Sequence, residues 1–175
     1  AVLALSVLAA RIRASAPTEY QVKAAYLYNF GLFVQWPSPR AAQSDAAFTI
    51  CVLGVDPFGK ALDKVLAGQT IGSESAVARR ISDPQDALGC RILFISASEE
   101  TNVKQLLSSL GKSSVLTVSD MSQFVERGGM IQFVLVNNRV RFEVNLAAAG
   151  RSGLTLSSQL VKLAVRVERS LPLGD

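Results

Sequence analysis

The chain has 175 residues, enough for one domain to bury roughly 70% of its unfolded surface without a metal or a dense disulfide network. With 49% hydrophobic and 18% charged residues, 12 Gly and 6 Pro, it is not disordered, collagenous or of low complexity. It has no histidine and 2 cysteines, which excludes Ser-His-Asp and Cys-His nucleophiles, imidazole-bound zinc and four-thiolate zinc, and its net charge of +4 is spread along the whole sequence.

Residues 1–16 read as a signal-peptide remnant or an N-terminal tail. Ala1 to Ala10 is apolar apart from Ser6, and Ala14-Ser15-Ala16 gives a small-x-small cleavage pattern. Arg11 and Arg13 sit between the two, where a signal peptide ordinarily has no charge. The other reading is a helix packed on the domain. Export is the expectation, with residues 17–175 as a single α/β domain. No run reaches the roughly 18 apolar residues of a membrane span.

Residues 19–36 have helical spacing. Val22, Ala25, Tyr26, Asn29, Phe30 and Phe33 recur at intervals of three and four, with Thr18 as N-cap and Pro37-Ser38-Pro39 as the stop. Residues 38–46 form a loop. A strand at 47–54 is followed by a helix over 56–67, with Asp56 as N-cap and Pro57 in its first position. Residues 76–81 make a polar strand suited to a sheet edge, Asp83-Pro84 a turn, and 91–96 a buried strand. A helix over 99–110 stops at Gly111, then come a strand at 115–118 and a short helix at 120–127. Asn137-Asn138 between two apolar segments signals a β-hairpin over 130–145. Ser157 caps a last helix over 158–169. Strands alternating with helices predict a three-layer α/β sandwich whose sheet is mostly parallel, with the C-terminal antiparallel hairpin at one edge.

The chemistry-bearing candidates are few. Gly54-Val55-Asp56-Pro57-Phe58-Gly59-Lys60 has the glycines and lysine of a phosphate loop, but Pro57 removes a donor and the spacing fits neither known fingerprint. A tight turn serves as well. Asp120 after a strand is an N-cap or a lone carboxylate that a hydrolase could use. Cys51 and Cys90 each adjoin an apolar strand; if those strands are neighbours the sulfurs meet, and otherwise they are buried thiols. Export favours the bridge. Glu143 shares a strand face with Arg141 and Asn145, opposite Phe142 and Val144, which suits either a salt-bridged surface or an edge offered to a partner. Arg40 with Glu168 is a conceivable polar pocket for a small molecule. The basic residues are not clustered with aromatics, so no nucleic acid is expected. No cofactor or metal is expected.

A set of blocks in fixed order has a further meaning. They are Tyr20-Gln21-Val22-Lys23-Ala24-Ala25-Tyr26-Leu27-Tyr28-Asn29-Phe30 with Trp36-Pro37, Cys51-Val52-Leu53-Gly54, Asp56-Pro57-Phe58-Gly59 and Gly89-Cys90-Arg91-Ile92-Leu93-Phe94-Ile95-Ser96. Leu116-Thr117-Val118-Ser119-Asp120, Gly128-Gly129-Met130-Ile131, Arg141-Phe142-Glu143-Val144-Asn145-Leu146 and Ser157-Ser158-Gln159-Leu160 follow. Together, over about residues 19–168, they resemble the YfiR family of periplasmic proteins.

The resemblance implies a small secreted domain that is not an enzyme. It implies repression of a membrane diguanylate cyclase, YfiN, by binding to its periplasmic sensory domain, and sequestration by an outer-membrane lipoprotein, YfiB. Cyclic di-GMP and biofilm formation follow from release of the cyclase. Cys51 and Cys90 match a family disulfide pair, while a second bridge found in some members is absent, so any redox switching rests on one bond. The resemblance also implies a homodimer, and it makes Phe142, Glu143, Asn145 and Leu146 the expected partner-binding residues. Similar domains fused to sensor kinases leave a small-molecule-binding periplasmic sensory domain as the alternative.

Overall fold

A computed structural model describes residues 16–37 and 47–169. Residues 1–15, which include Ala14 and Ser15 of the cleavage pattern, and the 38–46 loop with Arg40 lie outside the described residues. The chain starts with α1 (Glu19–Phe33), which runs directly into β1 (Val34–Gln35). Next come β2 (Phe48–Leu53), α2 (Lys60–Leu66), β3 (Thr70–Ile71), β4 (Glu74–Ile81), a 3-10 turn (Pro84–Gly89) and β5 (Ile92–Ile95). A second 3-10 segment (Ala97–Asn102) continues into α3 (Val103–Leu110), followed by β6 (Leu116–Ser119). The last third is β7 (Ile131–Val136), β8 (Arg139–Asn145), α4 (Leu146–Arg151), β9 (Thr155–Leu156), α5 (Ser158–Leu163) and β10 (Arg166–Glu168).

The main sheet has the order β10-β8-β7-β6-β5-β2-β4-β3, and β1 pairs with β9 in a separate ribbon. Strands β4, β2, β5, β6 and β7 are mutually parallel, β8 returns antiparallel to β7, and β10 lies parallel to β8. Buried strands in a parallel sheet are apolar on both faces. β2 and β5 show why: Ile50, Val52, Ile92 and Phe94 join a core with α1 and α2, while Cys51, Leu53, Leu93 and Ile95 join a second core with α3. Two cores separated by one sheet give the three-layer sandwich expected from the sequence.

α1 is fixed on its layer by a capping box between Thr18 and Gln21 and by Gly31. A Cβ at Gly31 would press on the end of the Ile71 side chain and crowd the Phe48 ring, so glycine lets the helix lie this close to the sheet without displacing them. Phe30 packs against Phe142 and Phe133, with centroids 5.2 and 5.8 Å apart. Each such pair contributes about 1 kcal/mol beyond its buried area.

Several elements differ from the sequence expectation for local reasons. The buried stripe of α1 is Lys23, Ala24, Leu27, Phe30 and Gly31, while Ala25 and Asn29 are exposed. Asp56 does not cap α2; its carboxylate accepts from the Phe58 N–H at 2.7 Å, a local turn that delays the helix to Lys60. Residues 120–127 are turns rather than a helix. Gln123 has φ 58°, and the Val125 N–H leaves the local chain to bond Gln132 Oε1 at 3.2 Å. The last helix stops at Leu163 because Ala164 turns extended, and the Val165 N–H then bonds the Phe142 carbonyl at 2.9 Å. Val165 and Val167 follow the two-residue period of a strand, so β10 lies outside the hairpin and makes the final edge.

Candidate functional site

Cys51 in β2 and Cys90 just before β5 are joined in a disulfide, with Cα atoms 5.9 Å apart. Both are buried, at 0% and 3% exposure. The bond is a direct result of topology. β5 lies beside β2, and the 3-10 turn that ends at Gly89 brings Cys90 into the same core, on the α3 side of the sheet, that Cys51 enters from β2. The closed loop carries α2, β3, β4 and the first 3-10 turn. β2 is therefore tied covalently to the entry of β5, its neighbour in the sheet.

In open α/β sheets ligands enter beyond the carboxyl ends of strands where the strand order reverses. Here that place lies between β2 and β5, and it is filled. A Cβ on Gly54, which has φ +86°, would strike the side chains of Ser98 and Glu99. The donors of the loop are also in use: the Val55 N–H bonds Ser98 Oγ at 3.0 Å, and the Phe58 N–H is held by Asp56. Arg80 bonds Asp56 and Asp63 at 2.9 and 2.7 Å and takes the Gly59 carbonyl. This loop is a braced turn, and it has no free cradle for a phosphate.

Asp120, at the carboxyl end of β6, has partners a hundred residues away in sequence. Its Oδ2 accepts from Lys23 Nζ at 2.6 Å and from the Tyr20 hydroxyl at 2.9 Å, both on α1. Glu19 completes the pair with Lys23 one turn earlier. The Lys23 side chain is 4% exposed and that of Asp120 14% exposed. Burial pulls the Lys23 ammonium down, but its hydrogen bonds to Asp120 and Glu19 outweigh this and hold its pKa above the usual lysine value. Burial, reinforced by the hydrogen bond to Asp120, pushes the Tyr20 hydroxyl up as well. A lysine kept charged and a tyrosine kept neutral do not abstract protons near neutral pH. The cluster fastens α1 to the sheet.

The hairpin residues divide between inside and outside. Phe142 is 1% exposed, packed edge-on against Tyr26 and Phe30. Asn145 is fully buried; its Nδ2 donates to the Val125 carbonyl at 3.0 Å, and its Oδ1 caps α4 by accepting from the Ala148 N–H at 2.8 Å. These two expected partner contacts are therefore scaffold in this structure, because their neighbours already occupy them. Glu143 and Leu146 remain half-buried and reachable. Glu143 lies 3.5 Å from Arg166 on β10, which also pairs with Glu126. Glu168 lies on β10 opposite Asn145, not on a helix, and Arg40 is outside the described residues. Sequence reasoning missed Lys23 as the partner of Asp120, since a lysine in an apolar stripe reads as a break in it. It also missed Arg166, although the Val165-Arg166-Val167 alternation was there to be read.

Among the described residues no group of three or more His, Cys, Asp or Glu could hold a metal ion, and no helix is long and apolar enough to cross a membrane. The sequence profile of the YfiR/HmsC-like family matches residues 20–165. Among solved structures, the chain is similar to a conserved domain protein from Vibrio cholerae O1 biovar El Tor, with a TM-score of 0.57 and 10% identity over 86% of this chain. The chain spans 60% of that protein's length, and at this identity the likeness is one of fold.

Proposed function

The chain belongs to the YfiR/HmsC-like family, whose members are periplasmic regulators of cyclic di-GMP signalling rather than catalysts, and from that premise we propose that it represses an inner-membrane diguanylate cyclase by direct binding. The contact is with the periplasmic sensory domain of a YfiN-like cyclase, and a YfiB-like outer-membrane lipoprotein removes the repressor. The protein acts as a homodimer that lowers cyclic di-GMP and biofilm formation. The observation that carries this reading is the family match over nearly the whole folded domain, and the Cys51–Cys90 bond agrees with what the sequence resemblance implies. The filled crevice beyond β2 and β5 supports a protein partner over a small ligand at that place.

The mechanism is a population shift: the repressor binds the inactive arrangement of the sensory domain more tightly than the active one. Moving the cyclase from 1% to 99% inactive takes roughly 5.5 kcal/mol of differential affinity. Glu143 and Leu146 are the contact residues in this reading, held in place by buried Phe142 and Asn145.

Capture from solubilised membranes of the source cell, with the protein oxidised and then reduced, tests the proposal. A diguanylate cyclase retained by the oxidised protein supports it, and no cyclase in either state removes it. Retention by both forms keeps the repressor and discards a switch at Cys51–Cys90. A Glu143→Lys protein should capture less; unchanged capture would take Glu143 out of the interface.

A further inference from the structure

The distal half of the β7–β8 hairpin stands clear of the rest of the sheet. β6 ends at Ser119, opposite Gln132, and β10 covers β8 only from Glu143 to Asn145. Val134 to Arg141 therefore have no strand on either outer side. The register pairs Val134 with Arg141 and Val136 with Arg139, so these four side chains share one face of the hairpin. The alternate residues point the other way, where Tyr26 of α1 meets the rings of Phe133 and Phe142. On the four-residue face, Val136 and Arg139 are exposed and Val134 and Arg141 half-buried. The layer beneath it ends at Gln132, which is buried against Val125.

The nearest carboxylate on this face, Glu143, is engaged by Arg166 rather than by the two arginines of the distal half. Arg79, Arg80, Arg91, Arg127 and Arg166 each have a carboxylate partner. Among the described residues Arg139 and Arg141 have none, and the Arg141 guanidinium reaches only the Val140 carbonyl, at 3.3 Å. Two guanidiniums at alternate positions of one strand lie roughly 7 Å apart on the same side. Carboxylates at alternate positions of an extended chain repeat at that same distance. Val134 and Val136 supply the apolar surface beside them.

We propose that this face docks an extended, acidic segment of a protein partner, its alternate carboxylates on Arg139 and Arg141 and an apolar side chain against Val136. This rests on the reading of the chain as a binding protein and assigns that role a surface and a partner chemistry. A second copy of the hairpin is the wrong occupant, because face-to-face contact would bring like charges together.

The test uses the intact, disulfide-bonded protein and a fluorescein-labelled seven-residue peptide with Val at position 1, Glu at positions 3 and 5 and Ser elsewhere, so that the three side chains share one face, beside its Lys-for-Glu counterpart, read by anisotropy. The acidic peptide should bind at least about tenfold tighter, a 1.4 kcal/mol difference, and weaken as salt rises. The R139E/R141E protein should reverse the preference while keeping its unfolding midpoint. Equal binding of the two peptides, or an unreversed preference in the variant, would overturn the proposal. So would self-association that the variant abolishes, which would make the occupant a second copy. The same variant in membrane capture separates the two readings. If both proteins retain the cyclase, this face is wrong and the repressor stands. If the wild type retains none, the repressor falls, and the peptide titration alone decides the face.

Discussion

Lys23 keeps its charge inside the fold because the carboxylates of Glu19 and Asp120 and the face of the Tyr20 ring meet it there, and this makes the cluster asymmetric to mutation. Replacing Asp120 by Ala leaves an ammonium that is 4% exposed with Glu19 alone. Breaking a buried pair from that side should cost about 3 kcal/mol. Replacing Lys23 by Met instead leaves Asp120, which is partly exposed and still hydrogen-bonded by Tyr20. That variant should lie within about 1 kcal/mol of wild type, since an apolar side chain suits the stripe. Urea unfolding of both proteins checks the order; equal losses would mean that Lys23 is not the strained partner. The pKa directions add a pH dependence. Both Lys23 and Tyr20 are raised, so the stability they contribute is whole below their ordinary values of 10.5 and 10.0 and is lost as pH rises through the folded values. The urea midpoint should fall above pH 10, and a Tyr20→Phe/Lys23→Met protein should fall less. The sequence hid all of this for one reason. Asp120 finds its partners through the α1-to-β6 contact, which no local pattern encodes, and a charged residue counts against an apolar stripe even when it is the centre of it.

Elements whose residues agree with their own backbone were legible; those decided by a distant bond were not. The hairpin is of the first kind. Asn137 and Asn138 sit at φ 50° and 58°, the left-handed conformation that asparagine tolerates and a two-residue turn requires. Asn138→Gly should be neutral or slightly stabilising, whereas Asn138→Val should cost about 1–2 kcal/mol; thermal unfolding of the pair is the check, and an indifferent Val variant would remove the turn from the account. The segment 120–127 is of the second kind. Its composition permits a helix, but the Met121 N–H is taken by Ser119 Oγ at 3.1 Å and the Val125 N–H by Gln132. Those bonds to buried side chains outweigh a single helical turn, which is unfavourable by itself. β10 was misjudged for a simpler reason. Val167 continues the helical spacing of Leu160, Leu163 and Ala164 as well as the alternation with Val165, and the bond from the Val165 N–H to the Phe142 carbonyl at the sheet edge decides between them.

At the scale of the whole molecule, the disulfide links stability to the proposed activity. It closes a loop of 39 residues in sequence, which in the chain-entropy model stabilises the fold by roughly 4 kcal/mol. For a domain with about 5–15 kcal/mol in total, that is a large fraction. The sulfurs are buried between β2 and the core around α3, so a reductant reaches them only when the structure opens locally. Two outcomes follow from these facts together. A Cys51→Ala/Cys90→Ala protein should unfold at a much lower urea concentration, because its loop regains entropy in the unfolded chain. Wild-type protein in reductant should lose its bond slowly under native conditions and quickly once destabilised by urea, since opening rather than thiol exchange sets the rate. Following free thiols against time at increasing urea, with circular dichroism in parallel, measures both. A reduction rate that ignores urea would mean that the bond is accessible in the folded state, and the switch would then respond directly to the surrounding reductant. A rate that rises with urea makes the same bond a stability element, whose loss would act on the proposed repression only by loosening the β2–β5 centre on which the hairpin side of the sheet is built.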